Sequence, residues 1–63
     1  MFIHQEKNSQ YDIREIWIDL DKITSIRHSE EYEECYMVFI NRDSKYRITQ
    51  ETFEKILVEK GVI

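Results

Sequence analysis

The sequence predicts an α+β fold: a three- to four-stranded antiparallel β-sheet with one C-terminal α-helix, with residues 1–63 forming a single domain. Three observations carry this. The apolar residues are mostly isoleucines and aromatics, with no alanine and no proline, and such side chains suit a pleated, half-buried surface. Several short segments alternate apolar and polar residues with the period of a strand. Only the last dozen or so residues repeat with helical spacing.

Taken in order, Phe2 to Lys7 reads as a short first strand. Asn8-Ser9-Gln10 is a turn signal, returning the chain into a strand from Tyr11 to Leu20 and closing a first hairpin. Within it Ile16, Ile18 and Leu20 share one face, expected to be core, while Glu15, Trp17 and Asp19 share the other. Trp17 then projects beside Ile13 and between two carboxylates. Three readings stand for it: cover by the N-terminal segment or the chain end, the anchor of an interface, since an exposed tryptophan with apolar neighbours has the character of a binding hot spot, or a simple surface tryptophan.

Asp19-Leu20-Asp21-Lys22 reads as a tight break, and Ile23 to His28 as the next strand. Ser29-Glu30-Glu31-Tyr32-Glu33-Glu34 cannot bury its charges and reads as the solvated tip of a hairpin, keeping a sheet edge soluble or meeting a basic groove. Cys35 to Ile40 is apolar on both faces: Tyr36, Val38 and Ile40 point one way, Cys35, Met37 and Phe39 the other. A strand of this kind wants cover on both sides, and one helix covers only one. Asn41-Arg42-Asp43-Ser44 is a turn without glycine, so Asn41 or Asp43 takes any left-handed position. Lys45 to Thr49 alternates, with Tyr46 and Ile48 inward and the basic residues outward.

The helix is expected from about Gln50 to Lys60. Thr49 is a good N-cap, with Glu51 in the first turn. Ile48 ahead of the cap can staple to Phe53. Phe53, Ile56 and Leu57 make the inner face. Gly61, the only glycine, falls where a left-handed residue ends a helix, with Val62 placed to complete a Schellman motif.

A chain of this size buries only about 60% of the surface that its unfolded form exposes, and such small folds usually need a staple. Cys35 is the only cysteine, so no internal disulfide forms. Self-association, as a homodimer or higher oligomer through the second sheet face or an edge strand, is the staple left. Thirteen acidic residues against nine basic give a net charge of −4, which disfavours nucleic acid and permits a basic protein partner. No apolar run approaches the roughly 20 residues of a membrane span, and the first residues lack a signal-peptide pattern. With a lone cysteine, this points to the cytoplasm.

The sequence offers no catalytic residues. Cys35 opens an apolar strand, where a thiol packs as a small hydrophobe, and neither His4 nor His28 is spaced as its base. His28 and Cys35 lie seven apart without a ligand-type spacing, so no metal is expected. Gly61 alone excludes a glycine-rich phosphate loop, and no cofactor is expected. What remains is a protein that binds. The expected contact residues are Trp17, Met37, Phe39 and the acidic Glu30, Glu31, Glu33 and Glu34. An alternative is a DNA-binding accessory domain using Arg42, Lys45, Tyr46 and Arg47. Another is an oligomer that sequesters a small molecule between subunits.

The run Ile16-Trp17-Ile18-Asp19-Leu20-Asp21-Lys22-Ile23-Thr24-Ser25-Ile26, followed by Val38-Phe39-Ile40-Asn41 and Tyr46-Arg47-Ile48, resembles small bacterial and phage proteins. It is similar to the flagellar FlbD-like family and to the strands of LytTR response-regulator domains. The resemblance covers residues 16 to 57 and implies a strand, an Asp-x-Ile-x-x-Ile break, a hairpin and, for the first family, a closing helix. The hairpin lacks the glycine of the first family, and the chain lacks the basic excess of the second. By type, a tiny, acidic chain of A/T-rich coding composition looks like a phage-encoded inhibitor of a host protein, including anti-defence proteins, working in the host cytoplasm.

Overall fold

A computed structural model describes all residues, Met1 to Ile63. It has five strands and one helix, an α+β fold, with the strands divided between two antiparallel sheets. β1 (Phe2–Gln5) pairs with β2 (Ile16–Asp19); β3 (Ile23–His28), β4 (Cys35–Ile40) and β5 (Ser44–Thr49) form the second sheet in that order. The helix α1 (Gln50–Glu59) follows directly.

Local chemistry sets the larger sheet. Ile23 pairs with Ile40 and Ser25 with Phe39, so Thr24 is an extra residue in β3. Its hydroxyl donates to the carbonyls of Phe39 (3.0 Å) and Asn41 (3.2 Å). This bulge rotates the strand, which is why Ile23 and Ile26, three apart, both pack against the core. The β4–β5 turn places Asn41 at φ 56°, the left-handed position a short polar side chain tolerates.

The helix ends as its sequence requires. The Thr49 hydroxyl accepts from the Thr52 amide at 3.2 Å. At the other end, Val62 N–H donates to the Leu57 carbonyl and Gly61 N–H to that of Val58. With Gly61 at φ 76°, this is a Schellman motif. Phe53 stacks on Tyr36 with ring centroids 3.8 Å apart.

The core is a cluster of Ile3, Ile18, Leu20, Val38, Ile48 and Ile56. It draws on both sheets and the helix, so the β1–β2 ribbon and α1 together cover the inner face of the larger sheet. Ile18, Val38, Ile48 and Ile56 have no exposed surface, and each contributes about 1.5–3 kcal/mol on burial. Gln5, only 3% exposed, ties the layers together: its Oε1 accepts from Thr49 N–H at 3.1 Å.

The first hairpin differs from expectation between its strands. Tyr11 to Glu15 is not strand. Asn8 caps a 3-10 turn over Ser9–Tyr11, accepting from the Gln10 amide, and Asp12 adopts φ 55°, which no strand accommodates. The strands shorten to Phe2–Gln5 and Ile16–Asp19, paired Ile3 with Ile18 and His4 with Trp17. Asp19 then accepts from the Asp21 amide and caps a second 3-10 turn, Leu20–Lys22. Ile13 is buried rather than exposed beside Trp17. No helix is long and apolar enough to cross a membrane.

Candidate protein-interaction site

The ribbon and the larger sheet both contribute to the core, so the other side of each points outward, and a groove of about 420 Å³ runs from Glu15 and Ile16 to Met37, Lys45 and Arg47. These two outer faces hold the candidate residues.

On the ribbon, strand alternation puts Phe2, His4, Trp17 and Asp19 outside. Trp17 is 66% exposed and Phe2 61%, and the register sets them diagonally across the pair. Trp17 is not loose. It stacks on His4, with centroids 4.5 Å apart and planes at 28°, and His4 donates from Nε2 to Glu15 Oε2 at 2.8 Å. His4 lies against one face of the indole and the rest is open, so the N-terminal strand touches Trp17 without covering it. Carboxylates of Glu15, Asp19 and Asp21 rim the patch, with the Met1 ammonium 3.6 Å from Asp21 and 4.0 Å from Asp19.

On the larger sheet, the register aligns Arg27, Met37 and Arg47 in one row and Ser25, Phe39 and Lys45 in the next. The expectation of an uncovered second face holds for one half of it. Met37 and Phe39 are half-buried, with the Arg27 guanidinium 5.3 Å from the Phe39 ring centre. The Cys35 end is closed by the chain itself. Arg47 donates to the carbonyls of Tyr11 (2.9 Å) and Asp12 (3.4 Å) and to Glu31 (3.0 Å). It also lies 4.8 Å from the Tyr32 ring centre, and Tyr32 meets Tyr11 edge-on. The Tyr11 hydroxyl donates to Glu34, and that bond holds its pKa above the ordinary value. Arg47 is therefore not the outward basic residue that strand alternation suggests; its side chain is 15% exposed, and its Nε is buried without an acceptor.

A groove of about 280 Å³ joins Met37 and Phe39 to Glu30 and Glu31, with Arg27 and Lys45 on its walls. Four of the expected contact residues thus meet in one place. Glu33 and Glu34 are exposed on the same loop outside that groove, and Trp17, on the ribbon, does not line it either. Of the basic set, Lys45 and Arg47 share this face, Tyr46 points to the other one, and Arg42 is exposed in the β4–β5 turn.

Neither family models, nor curated proteins, nor solved structures give a match to this chain.

Phe2 and His4 are the residues of the ribbon's outer face that sequence reasoning missed. Their signal was the alternation Phe2-Ile3-His4-Gln5, but only the register with Trp17 puts them beside it. Other chemistry finds little support in the geometry. The Cys35 thiol is fully buried, and burial pushes its pKa up, opposite to the shift that makes an attacking thiolate. No three His, Cys, Asp or Glu side chains are grouped to hold a metal ion. Another groove, about 480 Å³ between β1 and α1, is lined mainly by polar residues, with Thr52, Lys55 and Glu59 on its helix wall.

Proposed function

We infer that this chain is a non-catalytic protein-binding module that works by occupying a partner's surface. The observation that carries the reading is the ribbon's outer face. It holds an indole 66% exposed, fixed in orientation by His4 and Glu15. A rigid aromatic with little conformational freedom to lose is what an interface anchor needs. The acidic rim supplies steering toward a basic partner. On this reading the chain is an inhibitor of a host bacterial protein, encoded by a phage or mobile element and acting in the cytoplasm. Its size, its acidic charge and its A/T-type composition support that assignment.

The test is the Trp17→Ala variant. Its far-ultraviolet circular dichroism should match the parent chain, and so should its thermal unfolding at high dilution, because little of the indole is buried. Tagged parent chain, incubated with lysate of a low-GC bacterium, should retain a protein that the variant does not. If the variant retains the same proteins to the same extent, the ribbon is not the contact surface.

A further inference from the structure

The two outer faces are complementary in charge as well as in apolar character. The ribbon face carries Phe2 and Trp17 among Glu15, Asp19 and Asp21, with one ammonium at its edge. The groove on the larger sheet carries Met37 and Phe39 among Arg27, Lys45 and Arg47, against Glu30 and Glu31. That leaves the groove positive in a chain whose net charge is −4. Arg47 is taken up by Glu31, but neither Arg27 nor Lys45 belongs to an ion pair. Both are exposed, so two free cations flank a half-buried methionine and phenylalanine.

We propose that copies of this chain associate head to tail, the Phe2–Trp17 face of one seating on the Met37–Phe39 face of the next. The proposal rests on the protein-binding reading and names a second copy as the partner of that face. Arg27 and Lys45 meet the carboxylates of Glu15, Asp19 and Asp21, and a guanidinium or ammonium can also lie over the open face of the indole. Both surfaces exist on every copy, and they are different patches, on β1–β2 and on β3–β4–β5. The contact is therefore heterologous, and adding a copy leaves a free surface at each end. Growth continues past the dimer until a ring closes or a filament forms. The charge component makes association weaken as salt rises.

Sedimentation velocity on the intact chain tests this over a wide concentration range at low salt. The expected result is a series of species that extends beyond the dimer and shrinks when sodium chloride is added. Two variants then separate the faces. Phe2→Ala/Trp17→Ala removes one, and R27E/K45E reverses the other; all four side chains are surface residues, and circular dichroism checks that each variant folds. Each variant alone should sediment as a monomer, with association weakened at least about 30-fold, the factor for a hot-spot anchor. Their equimolar mixture should form a one-to-one dimer and nothing larger, because each supplies the face that the other lacks.

Three results overturn the proposal. One is a parent chain that stays monomeric throughout. Another is a closed dimer that the mixed variants fail to restore, since that contact is isologous. The third is a monomer whose mobility shifts with a single-stranded oligonucleotide and loses the shift in R27E/K45E, which assigns the basic face to nucleic acid. The broader reading fails separately: a chain that is monomeric yet captures a foreign protein through Trp17 keeps the binding function and loses only the self-assembly.

Discussion

Cys35 shows how one buried side chain sets a response to pH. The thiol has no exposed surface, and desolvation by burial, the larger cause, raises its pKa even though the Arg47 charge pulls the other way. In the unfolded chain the thiol ionises first, near its ordinary value of about 8.5. Above that pH the folded chain keeps a proton that the unfolded chain has lost. Stability is therefore intact below about pH 8.5 and declines as the pH rises toward the folded-state value. Tyr11, raised by its hydrogen bond to Glu34, extends the same trend above about pH 10. The urea midpoint should fall over this range, and Cys35→Ala should flatten the first part of the fall while lowering stability at every pH. A parent midpoint that is level from neutral pH to about pH 10 would show that the thiol is solvated. The same burial predicts slow reaction of Cys35 with a thiol reagent in the folded chain and fast reaction in urea.

At the scale of elements, the segment between β1 and β2 is held by a side chain from the far end of the molecule. Arg47 reaches the carbonyls of Tyr11 and Asp12, 36 and 35 residues away in sequence, and Glu31 across the β3–β4 loop. Hydrogen bonds from a charged donor in a partly buried site are worth about 1.5–3 kcal/mol. Arg47→Met should therefore destabilise by roughly that amount in urea titration and free the segment, seen as lost hydrogen-exchange protection at the Asn8–Ile13 bridge. Glu31→Gln removes only a largely exposed ion pair and should cost less than about 1 kcal/mol. Equal losses in the two variants would mean that the ion pair, not the carbonyls, is the attachment. This pin also explains what the sequence could and could not reveal. The helix was legible because Thr49, Phe53 and Gly61 act within a turn or two of themselves. So was the β4–β5 turn, where without a glycine Asn41 or Asp43 had to take any left-handed position, and Asn41 takes it. Tyr11 to Glu15 was not, because its course depends on Arg47 and on the left-handed Asp12, and Ile13 is buried only once that course is set. Likewise Trp17 was legible as an outward aromatic, while its partner His4 depends on a strand register fixed across the Glu6–Glu15 connection.

For the molecule as a whole, the question is how a chain of 7.8 kDa with 11 buried residues is stable. Its accessible surface is 4777 Å², where a folded monomer of this mass is expected to expose about 4,400 Å². Its 34 backbone–backbone hydrogen bonds compare with about 40–45 for an average domain of this length, because two small sheets leave more strand edges unpaired than one. Both shortfalls act against the isolated chain, so association should contribute measurably to stability. A contact that only the folded chain makes adds about 1.4 kcal/mol for each tenfold rise in concentration above its dissociation constant. For a domain of this size that raises the melting temperature by roughly 5–10 °C per decade. Differential scanning calorimetry at several chain concentrations should show this rise, and Phe2→Ala/Trp17→Ala should abolish it while leaving the dilute-limit melting temperature in place. A melting temperature independent of concentration in the parent chain would mean that the eight buried apolar side chains of the core hold the fold without help from a neighbour.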